Sequence, residues 1–143
     1  MIDSILLVDD ESLFHLVFED ACSLLDIALS LKSISTVEEA EKLFKGWLKG
    51  EGRKPECVFV DYNLIGSAYD GIELVRKINT EYGNHVVVGV ISSSADKQEI
   101  EKAQNVGAQF WIVKSDLIEP RLTRFKEDYA GFKARTTPFR VYS

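Results

Sequence analysis

The sequence predicts an α/β fold, a five-stranded parallel sheet in the strand order 2-1-3-4-5, doubly wound with helices on both faces. Strand-like and helix-like segments alternate five times along the 143 residues, as they do in sheets with right-handed crossovers. Two short apolar runs, Ser4–Val8 and Cys57–Val60, end directly in acidic residues. Buried parallel strands are almost wholly apolar, and open α/β sheets bind ligands at the carboxyl ends of their strands. The pattern therefore predicts both the sheet and the edge where a functional site would lie.

The composition is that of one globular domain, with 45% apolar and 28% charged residues. A net charge of −6 argues against binding to nucleic acid or to an anionic membrane. The sequence has no apolar run long enough to cross a bilayer and no recognisable secretory leader, so the chain is expected to be cytoplasmic. Cys22 and Cys57 lack metal-ligand spacing and are expected to be buried thiols.

The first strand, Ser4–Val8, leads into a predicted helix from Ser12 to Asp26. Its inward face is predicted from the 3.6-residue period to comprise Leu13, Val17, Ala21, Leu24 and Leu25, widened at its edge by Phe14, Phe18 and Cys22. An exposed apolar row that binds a partner is the alternative interpretation of this pattern. His15 lies on the polar arc of the helix and is expected to be solvated.

The next two elements are indicated by alternation and by capping. Ala28–Ile34 alternates between apolar and polar residues, as a half-covered edge strand does. Thr36 and Glu39 have the spacing of a capping box, which predicts that a second helix begins there. Gly50 follows the last apolar residue of this pattern and is expected to lie beyond the end of the helix.

The second half of the chain continues the alternation. Cys57–Val60 follows the turn signal Lys54-Pro55 and is expected to be buried on both faces. The remaining predicted elements are a short helix at 70–78, a turn at 82–84, a strand at 85–91, a helix at 96–106, a strand at 110–113 and a last helix, with Pro120 in its first turn, through residue 132. Residues 1–134 are predicted to form the domain, and residues 135–143 a tail or the start of a linker.

Polar side chains stand at the carboxyl ends of four predicted strands. Asp9 and Asp10 follow the first strand, Asp61 closes the third, Ser92 follows the fourth and Lys114 follows the fifth. The predicted strand order brings these ends together at one edge of the sheet. Neighbouring carboxylates repel one another, and a hard divalent cation such as Mg²⁺ would neutralise them. With a hydroxyl and an ammonium on the far side of a phosphoryl group, the set predicts phosphoryl transfer to a carboxylate.

Five segments resemble, in this order, the receiver domain of bacterial two-component response regulators: Val8–Glu11, Val60-Asp61, Ile91–Ser93, Gly107-Ala108 and Trp111–Lys114. The resemblance covers about residues 3 to 133 and implies a flavodoxin-like receiver fold. It implies that Asp61 accepts a phosphoryl group from a sensor histidine kinase or a histidine phosphotransfer protein. The chain would then be a regulatory domain, with no enzyme activity beyond its own phosphorylation and dephosphorylation.

The resemblance also implies a Mg²⁺ site. In it, Asp10 binds the ion directly, Asp9 acts mainly through water, and Asp61 and the backbone carbonyl of Asn63 complete the protein ligands. Ser92 would be the switch hydroxyl that binds the phosphoryl group, with Ser93 as the alternative.

The remaining implied roles belong to the end of the fifth strand. Lys114 would contact the phosphoryl group, and Trp111 occupies the place of the switch aromatic, where a fixed side chain is the alternative to a moving one. The chain departs from typical receivers at Ser115, which replaces a proline joined by a cis peptide bond. It also has Ile65 in place of a proline, within a longer loop after Asp61. These departures remove neither the acceptor nor a ligand.

The first functional hypothesis is a phosphorylation-dependent switch that changes the face formed by the fourth helix, fifth strand and fifth helix. That face would be read by a downstream protein or by a missing output domain, with homodimerisation left open. The first alternative is a degenerate receiver that acts as a phosphorylation-independent docking module. A phosphatase of the haloacid-dehalogenase type is a further alternative, but such enzymes need a second Asp where this chain has Asn63.

Overall fold

The computed structural model describes residues 1–64, 66–82 and 85–143. Its strands are β1 (Ile2–Val8), β2 (Ala28–Ile34), β3 (Cys57–Asp61), β4 (Val87–Ser92), β5 (Phe110–Val113) and β6 (Arg140–Tyr142). Its helices are α1 (Ser12–Leu24), α2 (Val37–Leu48), α3 (Gly71–Lys77), α4 (Lys97–Asn105) and α5 (Glu119–Ala134), and α3 continues into a π-helical turn at Ile78–Tyr82. The predicted turn at Gly83 and Asn84, and the substitution at Ile65, lie outside the described residues.

The six strands form one parallel sheet in the order β2-β1-β3-β4-β5-β6. The predicted α/β class, the five predicted strands and their order 2-1-3-4-5 are confirmed. The register between β1 and β3 aligns Val8 with Val60, and the register between β3 and β4 aligns Asp61 with Ile91. These pairings bring the carboxyl ends of the three central strands level with one another.

The sheet separates two apolar cores, and β3 contributes to both. Cys57 and Phe59 face the core shared with α1 and α5, whereas Val58 and Val60 face the core shared with α2, α3 and α4. Cys57–Val60 are buried, as predicted, and so is Asp61, which ends the strand. Cys22 and Cys57 are buried free thiols, and burial raises the pKa of Cys22 to about 12, so both behave as small core residues.

The face of α1 that packs on the sheet differs from the predicted one. Leu13 and Leu24, predicted to face inward, are 76% and 74% exposed, while Phe14 and Phe18 are buried. Apolar residues occupy most of the circumference of this helix, so their period alone does not select the inward face. Burial of aromatic rings selects it, because these rings remove the most apolar surface from water, and Phe18 packs edge-on against Phe59 with ring centroids 5.0 Å apart.

The segment predicted as a tail or linker contains β6. After α5 the chain turns at Arg135, which has a left-handed backbone conformation. Thr137 then lies against Gly131, where an added Cβ would be 1.8 Å from the threonine hydroxyl. Tyr142 is buried and donates its hydroxyl to Asp128 Oδ2 at 2.6 Å. Three strand residues after a proline give no recognisable period, and this is why the sequence pattern did not predict β6.

Candidate functional site

Three carboxylates meet at the carboxyl edge of the sheet. Asp9 directly follows β1 and Asp61 is the last residue of β3, so the pairing of these strands places the two side by side. Both are buried, and Asp10 is partly buried beside them. One carboxylate oxygen from each of the three side chains lies within 4.8 Å of the others. The structure therefore brings together the three acids that the strand order predicted to be neighbours.

Lys114 crosses from the end of β5 into this acidic cluster. Its backbone N–H donates to the Ser92 carbonyl at 2.7 Å, which fixes the start of its side chain beside β4. Its Nζ atom lies 2.7 Å from Asp9 Oδ2, 2.9 Å from Glu11 Oε1 and 3.4 Å from Asp61 Oδ2. The ammonium thus touches three carboxylates at once. Sequence analysis predicted two of them and missed Glu11.

The carboxyl of Asp61 is held in an environment that disfavours its charge. Burial raises its pKa to about 7, and the nearby Asp9 carboxylate acts in the same direction. Lys114 and the backbone N–H of Asn63 oppose this rise, the latter by donating to Asp61 Oδ1 at 3.3 Å. Burial alone would lower the pKa of Lys114, but its hydrogen bonds to Asp9 and Glu11 raise it. A buried acid therefore stands against an ammonium that stays protonated.

Ser92 is the last residue of β4, and its side chain is fully buried at the same edge of the sheet. Its Oγ accepts a hydrogen bond from the backbone N–H of Ser94 at 3.2 Å. Ser93, the alternative to Ser92, is exposed and lines a cleft beside Lys114. Both predicted hydroxyls therefore lie at the site, one inside the protein and one on its surface.

Trp111 connects two loops that border the site. The indole is fully buried, and its Nε1–H donates to the Ser94 carbonyl at 2.9 Å. Its ring lies 5.6 Å from that of Tyr62, the residue after Asp61, and its backbone pairs with Val141 of β6. Sequence analysis singled out Trp111 but not Tyr62 or Ser94. These two partners can be found only from the fold, because they lie in the loops that follow two separate strands.

The loop after Asp61 is held in its middle by α2 and ends beside Asp61, where α3 begins. Gly71 begins α3 so close to Asp61 that a Cβ at this position would lie 2.0 Å from the Asp61 carbonyl oxygen. In the middle of the loop, Ser67 Oγ accepts from the Val37 N–H at 3.2 Å, at the start of α2. The longer loop is thus attached to α2, and Gly71 allows α3 to begin directly beside the predicted acceptor.

Two further residues complete the surroundings of the site. His15 was expected to be solvated, but it is partly buried and its Nε2 contacts the backbone carbonyl of Asp9. From the first turn of α1 the His15 side chain reaches back to the end of β1, and polar-face periodicity does not reveal that contact. Within the described residues every peptide bond is trans, so the bond from Lys114 to Ser115 is trans, as expected from the absence of proline.

The donor set fits a hard divalent cation. Asp9, Asp10 and Asp61 offer only oxygen, which is the ligand type of Mg²⁺, Ca²⁺ and Mn²⁺. The three oxygens lie within 4.8 Å of one another, a range that includes the roughly 4 Å between opposite ligands of Mg²⁺. The three acids can therefore hold a divalent ion.

Comparison with known proteins adds the family context. Residues 5–121 match the family model of the response regulator receiver domain. None of the curated proteins is detectably similar to the chain in sequence. In the described residues, no helix has the length and apolar character needed to cross a membrane.

Solved structures share the fold. NtrX from Brucella abortus is 25% identical with a TM-score of 0.78, over 94% of this chain and 28% of its own. The phosphorylated cyanobacterial phytochrome response regulator RcpA is 20% identical with a TM-score of 0.68, over 96% of this chain and 97% of its own. The Mn²⁺-bound response regulator Rcp1 is 16% identical with a TM-score of 0.68, over 95% of this chain and 98% of its own.

Proposed function

This chain belongs to the response regulator receiver domain family, and we propose that it is a signalling switch that accepts a phosphoryl group on Asp61. The family consists of regulatory phosphoacceptor domains of two-component signalling, not of enzymes, and its members partner with histidine kinases. The observation that supports Asp61 most strongly is its position at the end of β3, next to Asp9 and 3.4 Å from the Lys114 ammonium. An acceptor carboxylate and a cation that can bind the incoming phosphoryl group are therefore in contact.

In the proposed reaction, an Asp61 carboxylate oxygen attacks the phosphorus of phosphohistidine on the donor protein. A new P–O bond forms as the P–N bond breaks, and the imidazole leaves with the electron pair of that bond. The ionised form of Asp61 is the nucleophile. The pKa of this carboxyl, about 7, already includes the lowering effect of Lys114, so a bound divalent cation would favour the ionised form further at neutral pH. Lys114 would donate to a phosphoryl oxygen.

We further propose Mg²⁺ as the cofactor, held by Asp9, Asp10, Asp61 and the backbone carbonyl of Asn63. Support comes from the all-oxygen donor set and from the bound Mn²⁺ of the structurally similar Rcp1. When bound, the ion would neutralise the carboxylates and the charge on the phosphoryl oxygens. Asp9 and Asp10 would keep it in place while Asp61 changes from a carboxylate to an acyl phosphate.

The switch is proposed to run from Ser92 to the C-terminal strand. A phosphoryl oxygen on Asp61 would accept a hydrogen bond from the Ser92 hydroxyl, drawing the loop after β4 toward the site. Since Ser94 in this loop is bonded to Trp111 and Trp111 pairs with Val141, the displacement would reach β6. β6 covers the outer edge of β5. The surface that a partner binds would therefore combine α4, β6 and α5 rather than α4, β5 and α5.

The proposed phosphodonor is a sensor histidine kinase or a histidine phosphotransfer protein. The receiver of the signal would be a downstream protein, an output domain outside this sequence, or a second copy of the chain. The negative net charge supports protein partners over nucleic acid or anionic membranes, and a cytoplasmic location would fit such signalling.

One observation favours a second candidate, a docking module that works without phosphorylation. Trp111 is already buried and hydrogen-bonded to Ser94, so this aromatic has no exposed position to leave when Asp61 is modified. A surface that is organised in advance could bind a partner constitutively.

Calorimetry with Mg²⁺, followed by beryllofluoride as a phosphoryl analogue, tests the proposal against this alternative. We expect wild type to bind Mg²⁺ and then beryllofluoride, and Asp61→Asn to lose beryllofluoride binding. Asp116→Asn, which alters an exposed acid in the loop after β5, serves as the matched control and should bind both. Wild type that binds Mg²⁺ but not beryllofluoride would support the docking module instead.

A further inference from the structure

The side chain of Glu11, at the start of α1, contacts Lys114 instead of capping the helix. Glu11 is the N-cap residue of this helix, yet its side chain accepts no capping hydrogen bond. Its backbone is fixed, because its N–H donates to Asp9 Oδ1 at 2.8 Å and its carbonyl accepts from the His15 N–H. The side chain instead reaches Lys114, 103 residues away in sequence, at 2.9 Å. The carboxylate therefore forms part of the site without being one of its predicted ligands.

The Lys114 ammonium is held among three carboxylates, and its hydrogen bond is to Glu11. A protonated lysine has three N–H donors, and its Nζ atom lies within salt-bridge distance of Asp9, Glu11 and Asp61. Moving the ammonium onto a phosphoryl oxygen on Asp61 draws it away from its other partners, including the hydrogen bond to Glu11 at 2.9 Å. The Asp9 carboxylate is fully buried, whereas the Glu11 side chain is 62% exposed. Glu11 is the partner that can be released into water at the lowest cost.

Glu11 also adds negative charge on the solvent side of the site. The other three carboxylates are buried or partly buried, so Glu11 is the most exposed carboxylate of the site. Small phosphodonors such as acetyl phosphate are dianions and are repelled by it. A divalent cation is attracted by the same charge. One side chain thus acts in opposite directions on the two ions that the reaction needs.

We propose that Glu11 is a positioning residue that restrains Lys114 and lowers the rate at which small anionic donors phosphorylate Asp61. The inference rests on the proposed function. Glu11 would keep the switch off toward free acyl phosphates, because Lys114 is released only when a donor displaces the Glu11 carboxylate.

The test uses Glu11→Gln in the full chain with acetyl phosphate and Mg²⁺. An Asp61 carboxylate oxygen forms the new bond to phosphorus, the bond from phosphorus to the acetyl oxygen breaks, and acetate leaves with the electron pair. We expect the phosphorylation rate constant of Glu11→Gln to rise about 3- to 10-fold. Its affinity for Mg²⁺ in calorimetry should fall about 2- to 5-fold, because one attracting charge is lost. Asp20→Asn, an exposed acid on the same helix, should change neither.

The opposite signs of the two effects separate positioning from damage, since a distorted site would lose both phosphorylation and Mg²⁺ binding. Phosphorylation of Glu11→Gln at or below the wild-type rate, with wild type modified on Asp61, would overturn this inference and leave the proposed function intact. A wild-type protein that acetyl phosphate never modifies would overturn both.

Discussion

Replacing Asp61 with Asn is expected to raise the free energy of unfolding by about 2 to 4 kcal/mol at neutral pH in buffer without divalent ions. Burial and the Asp9 carboxylate raise the pKa of Asp61 to about 7 in the folded protein, against 3.8 for an unperturbed Asp. One pKa unit corresponds to about 1.4 kcal/mol, so the three-unit rise gives a ceiling of about 4 kcal/mol. Asn has the same shape without the charge, and Lys114 keeps its contacts to Asp9 and Glu11.

The pH dependence of this stabilisation has a definite sign. Below about pH 4, Asp61 is protonated in both folded and unfolded chains, so the mutant and wild type should be equally stable in this respect. Between pH 4 and 7 only the unfolded chain ionises at Asp61, so wild-type stability is lost as the pH rises through this window. Urea unfolding of wild type and Asp61→Asn at about pH 4, 5.5 and 7.5 measures this loss of stability.

Asp116→Asn is the matched control for this prediction, because Asp116 is exposed. Its substitution should change the free energy of unfolding by less than about 0.5 kcal/mol at each pH. Equal stabilities of Asp61→Asn and wild type at pH 7.5 would show that the site does not hold a disfavoured charge.

Removing the Lys114 ammonium should have a large effect of opposite sign and lower the free energy of unfolding. Lys114→Met is expected to lower the free energy of unfolding by about 3 kcal/mol, because two buried carboxylates, Asp9 and Asp61, lose their ion pair with Lys114. Met preserves the apolar stem that packs near the Phe14 ring, over which the ammonium lies at 4.8 Å. The loss therefore reports on charge rather than on packing.

Lys133→Met provides the comparison for an exposed pair. Lys133 is 61% exposed and lies 2.8 Å from Glu56, and such exposed pairs contribute little to stability. In the Asp61→Asn background the cost of Lys114→Met should shrink, because one of the stranded charges is gone. A cost for Lys114→Met no greater than that for Lys133→Met would refute the view that Lys114 balances buried acids.

The meeting of Asp9, Asp61 and Lys114 could be predicted from sequence because parallel strands carry their carboxyl ends to one edge. Each side chain stands within one residue of a strand end, so the strand order alone determines that they are neighbours. The same argument placed Ser92 at this edge. Predictions of this kind need only the strand order and the position of a residue at a strand end, and not the direction of its side chain.

Other features depended on information that spacing does not contain. The inward face of α1 was mispredicted because Leu13 and Leu24 satisfy the period as well as Phe14 and Phe18 do. The contact of Glu11 with Lys114 joins an N-cap to a strand end 103 residues away. The strand β6 forms only because α5 returns the chain to the edge of β5. In each case tertiary packing selects among choices that are locally equivalent.

The most direct test of the central claim is to locate the phosphoryl group. Wild type and Asp61→Asn are incubated with acetyl phosphate and Mg²⁺, the acyl phosphate is trapped by borohydride reduction, and peptides are mapped by mass spectrometry. We predict that reduction yields homoserine at position 61 as the single product in wild type, that hydroxylamine added before the borohydride prevents its formation, and that Asp61→Asn yields none. Modification of another residue, or none in wild-type protein that binds Mg²⁺, would contradict the assignment of Asp61 as the acceptor.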